Sequence, residues 1–250
     1  MFALIDGVIS VTVIALALAV MVVSAVRGCL RRYFFLNLYV AVMLLVDGAR
    51  YAVLYRWGYS SDEYFYTFFL TDALLVACIY RLILNFFEVI FRGTPLAGYV
   101  RKVLLFFVVI IGLMSYTMIS RAMPAISRTV PHSYLHVVVE FLQNMYFAAV
   151  LLAVLLWIAL HHLRVYDRQL GFLIAGLGLS LGVQTAVCAL QNLLPQQTFL
   201  RWDPLLARAS TLTTVVKLGL WCYALGWISE EVPAEQRQYV SAEAEAGSGG

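Results

Sequence analysis

Apolar residues run through this chain in long blocks, interrupted by short polar stretches. The block VISVTVIALALAVMVVSAV, followed at once by Arg27, Arg31 and Arg32, is typical. The blocks are apolar on every side and show no single stripe, which is the pattern of helices surrounded by lipid or protein. Crossing a hydrocarbon layer of about 30 Å takes about 20 helical residues. Seven blocks meet that length, at roughly 4–26, 33–55, 64–87, 102–120, 133–158, 169–192 and 205–228. The expected fold is therefore all-α, a polytopic membrane protein built as a seven-transmembrane-helix bundle over 1–230. The first block lacks a basic leader and is too long for a secretion signal, so it reads as a retained helix. The remainder, 231–250, ends in SAEAEAGSGG. It is acidic, rich in small residues and without periodicity, and reads as a disordered cytoplasmic tail.

Composition agrees and narrows the class. The chain is 63% hydrophobic and 12% charged, with a mean hydropathy of +0.87. Soluble domains carry about 25% charged residues, so the solvent expected here is the lipid bilayer. A net charge of +3 on scattered basic residues forms no face for a nucleic acid. Cys29, Cys78, Cys188 and Cys222 lie in or beside apolar runs, at spacings that suggest neither a disulfide framework nor a zinc site.

Basic residues set the expected orientation. With the amino terminus outside, the inner loops hold Arg27, Arg31, Arg32, Arg92, Arg101, Lys102, Arg164 and Arg168, against Arg56, Arg121, Arg128, Arg201 and Arg208 outside. The bias favours N-out and C-in, and thus a multi-pass protein of a bacterial inner (plasma) membrane. Trp57, Tyr59, Tyr64 and Trp202 at the outer boundary, with Tyr33 and Trp227 at the inner one, are placed as interfacial anchors.

Candidate chemistry sits where the bilayer is least hospitable. A charge at the centre of a spanning helix costs on the order of 2.5–3.5 kcal/mol. Yet Asp47, Asp72, Glu140, Asn144, Gln184 and Lys217 fall at similar depths on five different spans, in the outer half. On the last span Ser210, Thr213, Thr214, Lys217 and Trp221 recur at three- and four-residue intervals and share one face. Ser180, Gln184, Cys188 and Gln191 do the same on the sixth. The other side of that span carries Gly171, Ala175, Gly178 and Gly182, a seam that lets a neighbouring helix approach closely. The expected ligand pocket therefore draws on Asp47, Asp72, Glu140, Asn144, Gln184, Thr213, Lys217 and Trp221, with Asp72 and Lys217 as its charged centre. A purely structural role is open beside it. Asp47 can pair with Arg50 three residues on, Lys217 can neutralise Asp72 or Glu140, and Arg81 can snorkel beside Asn85.

Sharper chemistries fit less well. His132 and His136, four apart, have the spacing of two metal ligands on one helix, but Glu140 lies about 12 Å along the axis from His132 and cannot join them. A lysine in the seventh span invites comparison with retinal proteins, where its amine forms a Schiff base. The sixth span, however, lacks the tryptophan and proline that cradle the chromophore, so opsin-like binding through Lys217 is not expected. Haem would need facing histidines, and all four lie on the fifth span or its ends. No cofactor is indicated.

Two segments, EYFYTFFLTDALLVACIYRLILNFF and YDRQLGFLIAGLGLSLGVQTAV, resemble small seven-helix integral membrane proteins of acidobacterial type. The likeness lies in an aromatic entry to the third span, an acid one turn in and a glycine-rich sixth span. It implies the same bundle and carries no activity with it. The expected function is a ligand- or lipid-responsive sensing or binding module, not an enzyme. A structural or accessory subunit of a membrane complex is the alternative, and a small transporter or proton-conducting protein the third reading. Expected partners are the bilayer, an unidentified small molecule and either a membrane protein or a second copy of the chain.

Overall fold

The computed structural model describes residues 2–58, 61–91, 97–126, 133–162, 168–193 and 196–228. The expected tail, 231–250, lies outside the described residues. The described chain is all helical: α1 (Phe2–Val26), α2 (Phe34–Trp57), α3 (Asp62–Ile90), α4 (Ala97–Ile126), α5 (Ser133–His162), α6 (Arg168–Leu193) and α7 (Gln196–Trp227). Several helices overrun their apolar blocks: α7 begins at Gln196, well before the block near 205, and α4 at Ala97. Backbone hydrogen bonding continues into polar flanks that hydropathy alone assigns to loops.

Among the described residues, five stretches are long and apolar enough to cross a membrane: Gly7–Val26, Phe34–Trp57, Asp62–Ile90, Phe141–His162 and Arg168–Leu190. By length and composition the chain is a multi-pass membrane protein. The middle of α7 carries Ser210, Thr211, Thr213, Thr214 and Lys217, which lowers its hydropathy and keeps it out of that group. Large apolar side chains such as Leu45, Leu70, Phe106 and Leu113 point outward and are well exposed, as lipid-facing positions must be.

The helices close into a ring. α1 packs against α2 and α7, α2 against α3, α3 against α5, α5 against α6, and α6 against α7. α4 stands outside this ring, against α3 and α5. The connections have local causes. Gly58, at φ +84°, ends α2 and returns its N–H to the Leu54 carbonyl, a conformation that favours glycine. Ser61 caps α3 by accepting the Tyr64 N–H, and Asp62 and Glu63 face the positive end of the helix dipole.

At the end of the ring where α1 turns into α2 and α7 finishes, the interior is filled. Tyr33, Leu36, Leu170, Leu173, Leu218 and Trp221 are essentially inaccessible. Polar groups here pair across helices: the Tyr33 hydroxyl donates to Gln169 Oε1 at 3.1 Å, and Gln169 Nε2 donates to the Ala224 carbonyl at 3.2 Å. Asn37 Nδ2 donates to Ser24 Oγ at 2.7 Å, and Arg27 donates to the Gly226 carbonyl. Tyr33 is thus no interfacial anchor; it is a buried tie between α2 and α6. Trp227, by contrast, is exposed at the same end.

The small-residue seam of α6 faces α5: a side chain at Gly171 would meet Leu160, and one at Gly178 would touch Ala153. Gly182 has open space before it. The closest approach on α6 is at Gly176. There a Cβ would stand 3.0 Å from Trp221 Nε1, 3.2 Å from Trp221 Cδ1 and 3.4 Å from the Lys217 carbonyl. That glycine lets α7 lie against α6 and seats the indole over the backbone.

Candidate functional site

At the other end of the ring, towards the α2–α3 and α6–α7 connections, the six ring helices surround a cavity of about 490 Å³. Each helix presents one face to it. α2 contributes Tyr39, Met43, Asp47 and Arg50, at intervals of four, four and three. α3 contributes Phe68, Asp72, Leu75 and Ile79; α6 contributes Leu177, Ser180, Leu181, Gln184 and Val187; α7 contributes Ser210, Thr211, Thr214 and Lys217. Val13 of α1 and Tyr146 of α5 complete the wall. Helical periodicity places all these groups inward at once. The volume lies within the range of small-molecule sites, about 300–1,000 Å³.

Two polar centres occupy the wall. In the first, Arg50 crosses from α2 to α3. Its NH2 group lies 3.3 Å from Asp72 Oδ1 and donates to the Phe68 carbonyl at 3.0 Å, and its Nε donates to Thr71 Oγ1 at 2.8 Å. The guanidinium also lies 4.1 Å from the centre of the Phe68 ring. Thr71 passes its own proton back to the Thr67 carbonyl at 2.6 Å. The second oxygen of Asp72 accepts the Tyr146 hydroxyl at 3.1 Å, tying α5 into the group. Both charged side chains are mostly enclosed, at 18% and 15% exposure, so the pair is bound by several charge-assisted bonds in a weakly screened setting.

The second centre is Lys217, only 3% exposed. Its ammonium donates to the Tyr39 hydroxyl at 2.9 Å. It stands 4.9 Å from the centre of the Tyr39 ring and 5.5 Å from that of Trp221, close enough for both faces to attract the charge. The two rings meet edge to face at 5.9 Å. Trp221 is held in turn by its N–H, which donates to the Leu173 carbonyl at 2.9 Å. Among the described residues, no carboxylate comes within ion-pair distance of Lys217.

The expected charged centre is therefore rearranged. Asp72 answers Arg50 and not Lys217, and Arg50 answers Asp72 across the helix pair and not Asp47 on its own helix. The reason is reach: a long guanidinium arm one turn beyond Asp47 spans to α3, where carboxylate, hydroxyl and carbonyl acceptors converge. Asp47 lines the cavity but is exposed. Gln184 accepts the Ser210 hydroxyl at 2.6 Å, joining α6 to α7. Thr213 is buried and donates to the Ala209 carbonyl, and Trp221 forms the platform under Lys217.

Asn144 is exposed on the side of α5 away from the cavity. Tyr146, two residues on and therefore on another face, is the α5 residue in the wall. His132, as well as the side chains of Glu140, His136 and Gln191, lie outside the described residues. Among the described residues no three His, Cys, Asp or Glu side chains gather as a metal site would need. Arg81 is not a snorkelling partner of Asn85. It lies over the Phe35 ring at 3.8 Å and, with Arg101 of α4, 3.5 Å from Glu88.

Sequence reasoning passed over Tyr39, Arg50 as a partner of α3, Tyr146 and Thr211. A signal existed for the first two: Tyr39, Met43, Asp47 and Arg50 form one helical stripe ending on two charges. Tyr146 offered none, because tyrosine is ordinary in a spanning helix. Comparison of the chain with known proteins finds no matching family model, curated protein or solved structure.

Proposed function

We propose that this protein is a seven-span, N-out and C-in protein of a bacterial inner membrane that binds a small molecule in the cavity and responds to it. The observation that carries the reading is the cavity itself, lined from six helices and walled by an enclosed Arg50–Asp72 pair and a buried ammonium. A bundle that used these charges as mere staples would close around them, as it does around Tyr33 and Gln169. Here the space stays open beside them. A ligand touching α2, α3, α6 and α7 together would change how those helices sit, which is the differential contact a response requires. The basic residues on the α1–α2, α3–α4 and α5–α6 connections support the orientation. The polar middle of α7 is compatible with a seventh span because Lys217 and Thr213 are buried in the bundle and not turned to lipid.

The test is a native mass spectrum of the full chain, extracted gently from its own membrane, beside that of Lys217→Met. A small added mass on the wild type supports the reading. A bare chain carrying a stoichiometric protein neighbour would replace it with an accessory-subunit role. Orientation is checked separately by a fluorescent reporter fused after Gly250, which should light up on the cytoplasmic side.

A further inference from the structure

We infer that the ligand of this cavity is a monocarboxylate with an apolar body, its carboxylate seated on Lys217; this rests on the ligand-binding reading above. The ammonium of Lys217 has three N–H donors, and the Tyr39 hydroxyl accepts from it at 2.9 Å. Two donors are left beside a cavity from which bulk water is nearly excluded at that depth, since the side chain is 3% exposed. A buried charge needs a partner of opposite sign or strong hydrogen bonds to offset its lost hydration. The other charges of the wall do not supply it: Asp72 is engaged by Arg50 and Tyr146, and Asp47, although it acts on Lys217 electrostatically, makes no ion pair with it. Asp47 borders the same cavity without an ion pair, whereas Lys217 is enclosed at 3% exposure.

The charge and the donors of the wall select among anions. The single charge of the ammonium matches a single carboxylate charge, and a free N–H can donate to one of its oxygens. A phosphate dianion would bring a second charge with no second cation to meet it, because Arg50 is already held by Asp72, Thr71 and the Phe68 carbonyl. The wall is mixed, with Ser180, Gln184, Ser210 and Thr214 in it, but an apolar body finds partners in Met43, Ile79, Leu177 and Leu181, and the rings of Tyr39 and Trp221 flank the ammonium. Such a molecule could be an acyl chain drawn from the bilayer or an aromatic acid from the aqueous side, and both share the head group.

Binding is measured on the full chain in phosphatidylcholine nanodiscs, with empty discs subtracted, at mildly alkaline pH. Radiolabelled decanoate, 3-phenylpropanoate and the uncharged decanol are the probes. The carboxylates should bind saturably to the wild type and to Lys217→Arg. They should lose about tenfold or more in Kd with Lys217→Met, the loss of a charge-assisted pair, while decanol changes little. Tighter decanoate points to the acyl source and tighter phenylpropanoate to the aromatic one. If Lys217→Met does not fold, judged by its unfolding curve, Lys217→Gln takes its place. Equal binding of decanol and carboxylates to the wild type and the neutral variant overturns the carboxylate inference and leaves the ligand cavity standing. No saturable binding of any probe, together with a bare native mass, overturns both.

Discussion

The two ends of the helix ring are built on opposite terms. Where α1 meets α2 and α7 finishes, the buried polar groups are neutral, pair across helices and pack among Leu36, Leu170, Leu173 and Leu218, while the exposed Arg27 donates to the Gly226 carbonyl. Towards the α2–α3 and α6–α7 connections the polar groups are charged, and they border about 490 Å³ of space. The first arrangement fills the space between helices; the second ties them around a space left open. Both use polar side chains in an apolar chain, and what separates them is whether an enclosed charge stands beside open space. At the filled end Gln169 is answered on both sides of its amide. At the open end Lys217 is answered by Tyr39 alone, and Asp47 by no ion pair among the described residues. An enclosed polar network that is complete rigidifies a bundle, and one left incomplete is where a ligand can complete it.

Substitutions can break this contrast, and the largest effect should come at the floor between the two ends. Trp221→Ala removes a fully buried indole and its bond to Leu173. A loss of about 3–5 kcal/mol is expected, read as a shift in the denaturant midpoint in mixed micelles. Asp72→Asn should follow, at about 1.5–3 kcal/mol, because Arg50 then keeps only neutral acceptors. If Asp72→Asn proved costlier than Trp221→Ala, charge and not packing would hold the bundle, and the contrast would be reversed.

Gly176→Ala should cost about 1–3 kcal/mol, since its methyl would be driven against the Trp221 ring and the Lys217 carbonyl. Gly182→Ala, with open space before it, should leave the midpoint unchanged or slightly raised. Equal effects at the two glycines would mean that α6 and α7 do not approach as closely as described. Tyr33→Phe should cost about as much as Gly176→Ala, about 1–3 kcal/mol, because the buried Gln169 Oε1 loses its donor, measured by the same unfolding curves. It should leave carboxylate binding untouched, because Tyr33 belongs to the filled end.

Much of this was written in the sequence. Blocks of apolar residues long enough to cross a bilayer predict helices because a backbone in hydrocarbon must satisfy its own hydrogen bonds, and helices are what form. Helical spacing likewise predicted the inward faces of α6 and α7: Ser180 and Gln184 share the cavity with Ser210, Thr214 and Lys217. The partners of the charges were not legible. Depth along each helix is a one-dimensional quantity, and Asp47, Asp72 and Lys217 share it; which of them touch depends on rotation and on side-chain reach. Arg50 outcompeted Lys217 for Asp72 because α2 is the direct neighbour of α3, whereas α7 packs on α1 and α6. Asn144 was placed by depth as well, and its rotation carries it out of the wall.

The chain by itself therefore determined the solvent it lives in, its helices and the level at which its polar groups would gather, because burial in lipid is decided residue by residue. Only the tertiary structure decided that one end closes, that α4 stands outside the ring and that Lys217 rests between Tyr39 and Trp221 with no carboxylate of the described residues paired to it. Those outcomes depend on which helix faces meet, and a close approach such as that at Gly176 is set by two chains of atoms at once.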